Sequence, residues 1–85
     1  MIRPCDAWGP WRPDIEPGER LARLRSMRAI VCLCVGPRGD ALADALHAAE
    51  RDAAQLPAAL AALDRLAALD RRHVLASYAR LCRTA

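Results

Sequence analysis

The residues best suited to metal or redox chemistry in this chain are four cysteines and two histidines. They are Cys5, Cys32, Cys34, Cys82, His47 and His73. Structural zinc sites pair their ligands at C-x2-4-C spacing and need a second pair of similar spacing, whereas only one residue separates Cys32 from Cys34 and no second close pair exists. On a helix these two would point about 200° apart. We therefore expect no metal and no cofactor, and we interpret the cysteines as packing residues.

Two further patterns resemble reactive sites only in part. Asp70, His73 and Ser77 share one face of a predicted helix, but catalytic triads assemble from separate chain segments. The turn "VGPRGD" at residues 35–40 offers backbone amides at a helix start, where a phosphate can bind, yet it lacks the lysine and hydroxyl residue of a P-loop. We therefore expect that the protein is not an enzyme.

Arginine side chains form the most prominent candidate binding surface. All 13 basic residues are arginine and the formal net charge is +3. Six of them lie in two runs, namely Arg20, Arg23, Arg25, Arg28, Arg71 and Arg72. Guanidinium groups bind phosphates and carboxylates with two parallel hydrogen bonds, so these runs indicate an acidic protein surface or a nucleic acid as the partner.

Residues 1–17 differ from the rest because prolines exclude a regular helix there. Trp8 and Trp11 are three residues apart, one turn of a polyproline II helix, so both indoles can face the same way. We predict an extended N-terminal arm over 1–17 and a helical domain over 18–85. The indoles either cover the core or anchor a partner, and we expect Trp11 to be the more buried of the two.

The composition predicts an all-α fold, a small bundle of three or four helices after the Pro- and Trp-rich arm. Alanine and leucine dominate the chain, and both are strong helix formers. A first helix is predicted from about residue 18 to 35, beginning near Pro17. Residues 29–35 are also compatible with a buried strand, but the chain offers no second strand to pair with it. The sequence thus favours a helix at this position.

Capping residues and prolines predict the second and third helices. Asp40 is interpreted as the N-cap of a second helix that reaches Leu56, because its carboxylate can accept hydrogen bonds from the first backbone amides. The inward positions of that helix are Leu42, Leu46, Ala49, Ala53 and Leu56. Pro57 then begins a third helix at its first position.

A fourth helix is predicted over residues 71–82. Asp70 is interpreted as its N-cap, with Leu69 and Val74 forming a hydrophobic staple across the first turn. Val74, Leu75, Tyr78 and Leu81 are the predicted inward residues. One uninterrupted helix over residues 57–82 is the alternative, because the periodicity allows it.

These features predict a small non-enzymatic regulator, adaptor or inhibitor that binds a protein partner. Small charged chains of this kind occur in GC-rich bacteria and their phages, and they include stoichiometric inhibitors such as anti-CRISPR proteins. The candidate contact residues are Trp8, Trp11 and the six arginines of the two runs. The first alternative is an arginine-based nucleic-acid binder, and the second is a thiol or metal sensor. A homodimer is also compatible with the small residues on the helices.

No apolar run suggests a signal peptide or a membrane span, so we expect a cytoplasmic protein with no membrane partner.

Overall fold

The computed structural model describes residues 9–84, and the side chains of residues 9–81. Four α-helices follow one another along the chain: α1 (Pro17–Cys34), α2 (Asp40–Arg51), α3 (Leu56–Asp64) and α4 (Ala68–Thr84). Short 3-10 turns at Gly36–Gly39 and Ala53–Gln55 precede α2 and α3. The prediction of an all-α bundle is confirmed, since residues 9–84 contain no strand.

Helix α1 extends through the segment that was also compatible with a strand. Pro17 occupies its first turn, where the missing N–H costs no hydrogen bond. Leu24, Met27 and Val31 recur at helical spacing on its inner face and are buried. Val35 follows the helix and is buried as well. The sequence-based choice of helix over strand for residues 29–35 is therefore confirmed up to Cys34.

Helix α1 lies at the centre of the packing, with α2 on one side and α4 on the other. Helices α1 and α4 are antiparallel, because Cys34 lies beside Ser77 while Arg38, after α1, meets Asp70 at the start of α4. Helix α3 packs against α2. The buried apolar core consists of Trp11, Leu24, Met27, Val31, Val35, Leu42, Leu46, Ala49, Ala59, Ala62, Leu63, Val74 and Tyr78.

The predicted boundaries of α2 are wrong at both ends. Asp40 is the first helical residue and Gly39 occupies the cap position, so the Asp40 carboxylate makes no capping hydrogen bond. The helix ends at Arg51, because Asp52 has an extended backbone and its side chain accepts a hydrogen bond from the Ala54 N–H at 3.0 Å. Leu56 consequently begins α3, one residue before the proline predicted to do so.

The chain between Asp64 and Ala68 separates α3 from α4, so the alternative of one long helix is wrong. The predicted N-cap at Asp70 is also wrong, since α4 begins two residues earlier and Asp70 lies in its first turn. The hydrophobic staple is absent because Leu69 is 74% exposed. Val74 and Tyr78 are buried as predicted.

The N-terminal segment is described from Gly9 onward, and it is non-helical up to Glu16. It turns at Gly9, where the Arg12 N–H donates to the Gly9 carbonyl at 3.3 Å. Trp11 lies in the core at 9% exposure, and its Nε1–H donates to the Leu56 carbonyl at 2.8 Å. The prediction that an indole covers the core is thus confirmed for Trp11. Trp8 and Cys5 lie outside the described residues.

Candidate interaction surface

Two arginines of the first run fasten the N-terminal segment to α1. Arg20 Nη2 donates to the Arg12 carbonyl at 2.8 Å, and Arg23 Nη1 donates to the Gly9 carbonyl at 3.2 Å. Arg23 Nε also contacts Glu19 Oε1 at 3.2 Å, one turn earlier in α1. Both guanidinium groups are partly buried. These two candidate contact residues therefore hold the segment that carries Trp11.

The other two arginines of the first run converge on one carboxylate of α2. Arg28 donates to both Glu50 oxygens, with Nε–Oε2 2.7 Å and Nη2–Oε1 3.3 Å. Arg25 Nε lies 3.6 Å from Glu50 Oε1. The Glu50 side chain is only 6% exposed, and a buried carboxylate requires such charged donors because burial removes its hydration. Arg28 and, more weakly, Arg25 therefore join α1 to α2.

The two arginines of the second run differ in their surroundings: Arg71 binds backbone carbonyls, whereas Arg72 is exposed. Arg71 Nη1 donates to the carbonyls of Asp64 at 3.0 Å and Leu66 at 3.4 Å, and so satisfies backbone acceptors where α3 ends. The structure therefore does not gather the six predicted arginines into one surface patch, because at least Arg20, Arg23, Arg28 and Arg71 bind groups of the chain itself.

Asp70 and Ser77, which were predicted to share a helix face with His73, contact residues of other segments. Arg38 binds Asp70 with two hydrogen bonds, 2.9 and 3.0 Å long. These bonds lower the pKa of the Asp70 carboxyl below its ordinary value, and they outweigh desolvation, which acts in the opposite direction; His73 adds a weaker lowering effect. The Ser77 hydroxyl lies 3.8 Å from Cys34 Sγ. Among the described residues there is therefore no carboxylate that orients His73 toward Ser77.

The cysteines do not behave as a group. Cys34 is half-buried between α1 and α4, but Cys32 is exposed, so the prediction that the cysteines are packing residues is wrong for Cys32. Its position on the outer surface of α1 was not apparent because residues 30–35 are apolar on every side. In the described part of the chain no three His, Cys, Asp or Glu side chains lie close enough to hold a metal ion. Cys82 has no described side chain.

Among the large apolar side chains of residues 9–81, Leu33 near the end of α1 is the most exposed, at 86%. A shallow groove between α1 and α4 is lined by Ile30, Ser77, Arg80 and Leu81, and Leu33 is not one of its lining residues. Ile30 precedes Leu33 by three residues, so the two are neighbours on the helix surface. Leu81, predicted to point inward, is 45% exposed at the other wall. We call Ile30, Leu33, Ser77, Arg80 and Leu81 the α1/α4 face.

Charge is distributed unevenly between this pair of helices and the rest of the chain. Helices α1 and α4 contain eight arginines and two acidic residues, a formal charge of +6, whereas the remainder contains five arginines and eight acidic residues, a charge of −3. The two acidic residues are Glu19 and Asp70, and each is paired with an arginine. No described acidic side chain pairs with Arg80. The α1/α4 face is therefore apolar with a basic edge.

A second depression lies on the α2 side of the molecule. Ile15, Arg20 and Leu21 form one wall, and residues 49–53, from the end of α2 and the turn after it, form the other. Its charges are mixed, because Arg20 lies on the first wall and Glu50, Arg51 and Asp52 lie on the second. This balance of opposite charges within the depression gives no preference for an acidic or a basic ligand.

The described part of the chain contains no candidate membrane-spanning helix. None of its helices, including the 18-residue α1, is both long and apolar enough to cross a bilayer.

Comparison of the chain with protein-family models, with curated proteins and with solved structures finds no match. The α1/α4 face is the surface feature that the fold itself does not require, and it is therefore the candidate interaction site.

Proposed function

We propose that this chain is a small binding protein, a regulator, adaptor or inhibitor that acts by docking a protein partner on the α1/α4 face. The exposure of Leu33 carries the proposal. A leucine is normally more stable when its side chain leaves water, by roughly 1.5–3 kcal/mol. Single exposed leucines are common, but Leu33 follows Ile30 by one helical turn, and Ile30 lines the groove together with Leu81. Neighbouring exposed apolar side chains of this kind mark interaction sites.

The arrangement supports a protein partner over a nucleic acid. Nucleic-acid affinity comes mostly from arginine and lysine contacts to phosphates, and five of the six predicted contact arginines are engaged within the chain. The α1/α4 face instead combines apolar side chains with one basic residue at its edge. Centres of protein interfaces have this composition, with apolar anchors surrounded by polar groups.

Photo-crosslinking in the native cells tests the proposal. A photoreactive amino acid replaces Leu33 in one version of the chain and Leu69 in another. Leu69 is a matched control, because it is also an exposed leucine but lies near the start of α4, eight residues before Ser77 and roughly 12 Å away along the helix. We expect a discrete protein adduct from position 33 and none from position 69.

The Leu33→Glu variant then tests whether the crosslinked protein binds at position 33 or only lies near it. Because the side chain at position 33 is exposed, the substitution should leave the circular dichroism spectrum and Tm nearly unchanged while an affinity-tagged chain no longer retains the crosslinked protein. Equal adducts from positions 33 and 69, adducts with nucleic acid alone, or full retention of the partner by Leu33→Glu would contradict the proposal.

A further inference from the structure

We draw no further inference here: the strongest candidate, the shallow groove between α1 and α4 with the exposed Arg80 at its edge, belongs to the α1/α4 face already described, and nothing in the structure shows what covers it.

Discussion

Arg38 and Asp70 form an ion pair with two parallel hydrogen bonds, Nη2–Oδ1 at 2.9 Å and Nε–Oδ2 at 3.0 Å. The pair joins the turn after α1 to the first turn of α4, two points 32 residues apart in the sequence. Planar matching of guanidinium and carboxylate fixes orientation as well as distance. The pair therefore helps to set the antiparallel alignment of α1 and α4 on which the groove depends.

The stability of the protein should depend on the ionisation of Asp70. Its pKa is lower in the folded chain than the ordinary value of 3.8, because Arg38 binds the charged form. A depressed pKa contributes stability that is present above the pKa of the unfolded chain, near 3.9, and is lost as the pH falls through the folded value. Urea midpoints between about pH 6 and pH 2 should decline less in Asp70→Asn than in the wild type.

The Asp70→Asn and wild-type curves should converge at the acidic end, where both side chains are neutral. Asp14 is the matched control, since Arg12 lowers the pKa of its carboxyl in the same way at a more exposed site. Parallel curves for Asp70→Asn and the wild type across the whole range would contradict the assigned role of the Arg38–Asp70 pair.

Trp11 should contribute strongly to the free energy of unfolding. Trp11→Ala removes a core indole and should cost about 3–5 kcal/mol, whereas Trp11→Phe keeps a ring and mainly loses the hydrogen bond to the Leu56 carbonyl, a cost of about 1 kcal/mol. We also expect Trp11→Ala to destabilise more than Trp8→Ala. Chemical denaturation of the three variants measures this order. A Trp11→Ala chain as stable as the wild type would show that the segment before α1 is not part of the core.

Gly39 should not tolerate a methyl group. A Cβ at this position would lie 2.7 Å from Val31 Cγ1 and 3.2 Å from Val35 Cβ, and the φ of −99° adds no backbone strain of its own. Overpacking of this kind costs about 1–3 kcal/mol. Gly18→Ala is the control, because nothing lies within 4 Å of its Cβ position, and a helical alanine should raise the stability by about 0.5 kcal/mol. Equal Tm changes for the two variants would refute the close packing at Gly39.

The Glu50 side chain should contribute more to the free energy of unfolding than an exposed acidic side chain such as that of Glu19. Glu50→Gln keeps the shape but removes the charge that Arg28 and Arg25 bind, and we expect a loss of about 1–2 kcal/mol. Glu19→Gln, whose partner Arg23 lies one turn away on the same helix surface, should change the stability by less than about 0.5 kcal/mol. Thermal unfolding of both variants in low and moderate salt provides the comparison; an equal loss in the two would argue against the α1–α2 connection.

The sequence predicted which elements exist better than where they end. Residues 29–34 have a strand-like composition. Because the chain offers no second strand to pair with them, the sequence predicted a helix, and this prediction is correct. The end of α2 was missed because apolar spacing continues through Ala53 and Leu56, while the break depends on the extended backbone of Asp52. The break before α4 contains neither glycine nor proline, and there Arg71 binds the carbonyls exposed where α3 ends.

The arginines show why the surface was harder to predict than the fold. Arg28 pairs with Glu50 across 22 residues and Arg38 with Asp70 across 32, and no local pattern identifies such distant partners. One signal of the α1/α4 face was present in the sequence. After residue 28 the apolar residues of α1 cover both faces of the helix, and the second of these faces is the one that carries Leu33.

The position of the bound partner can be read from isoleucine methyl groups by NMR, and this measurement decides whether the partner docks on the α1/α4 face. The chain contains three isoleucines, Ile2, Ile15 and Ile30. Ile30 lines the groove of the α1/α4 face, and Ile15 lines the depression on the α2 side. On addition of the protein captured through position 33, we expect the Ile30 methyl signal to shift or broaden while that of Ile15 stays in place. A shift of Ile15 with an unchanged Ile30 signal would contradict docking on the α1/α4 face.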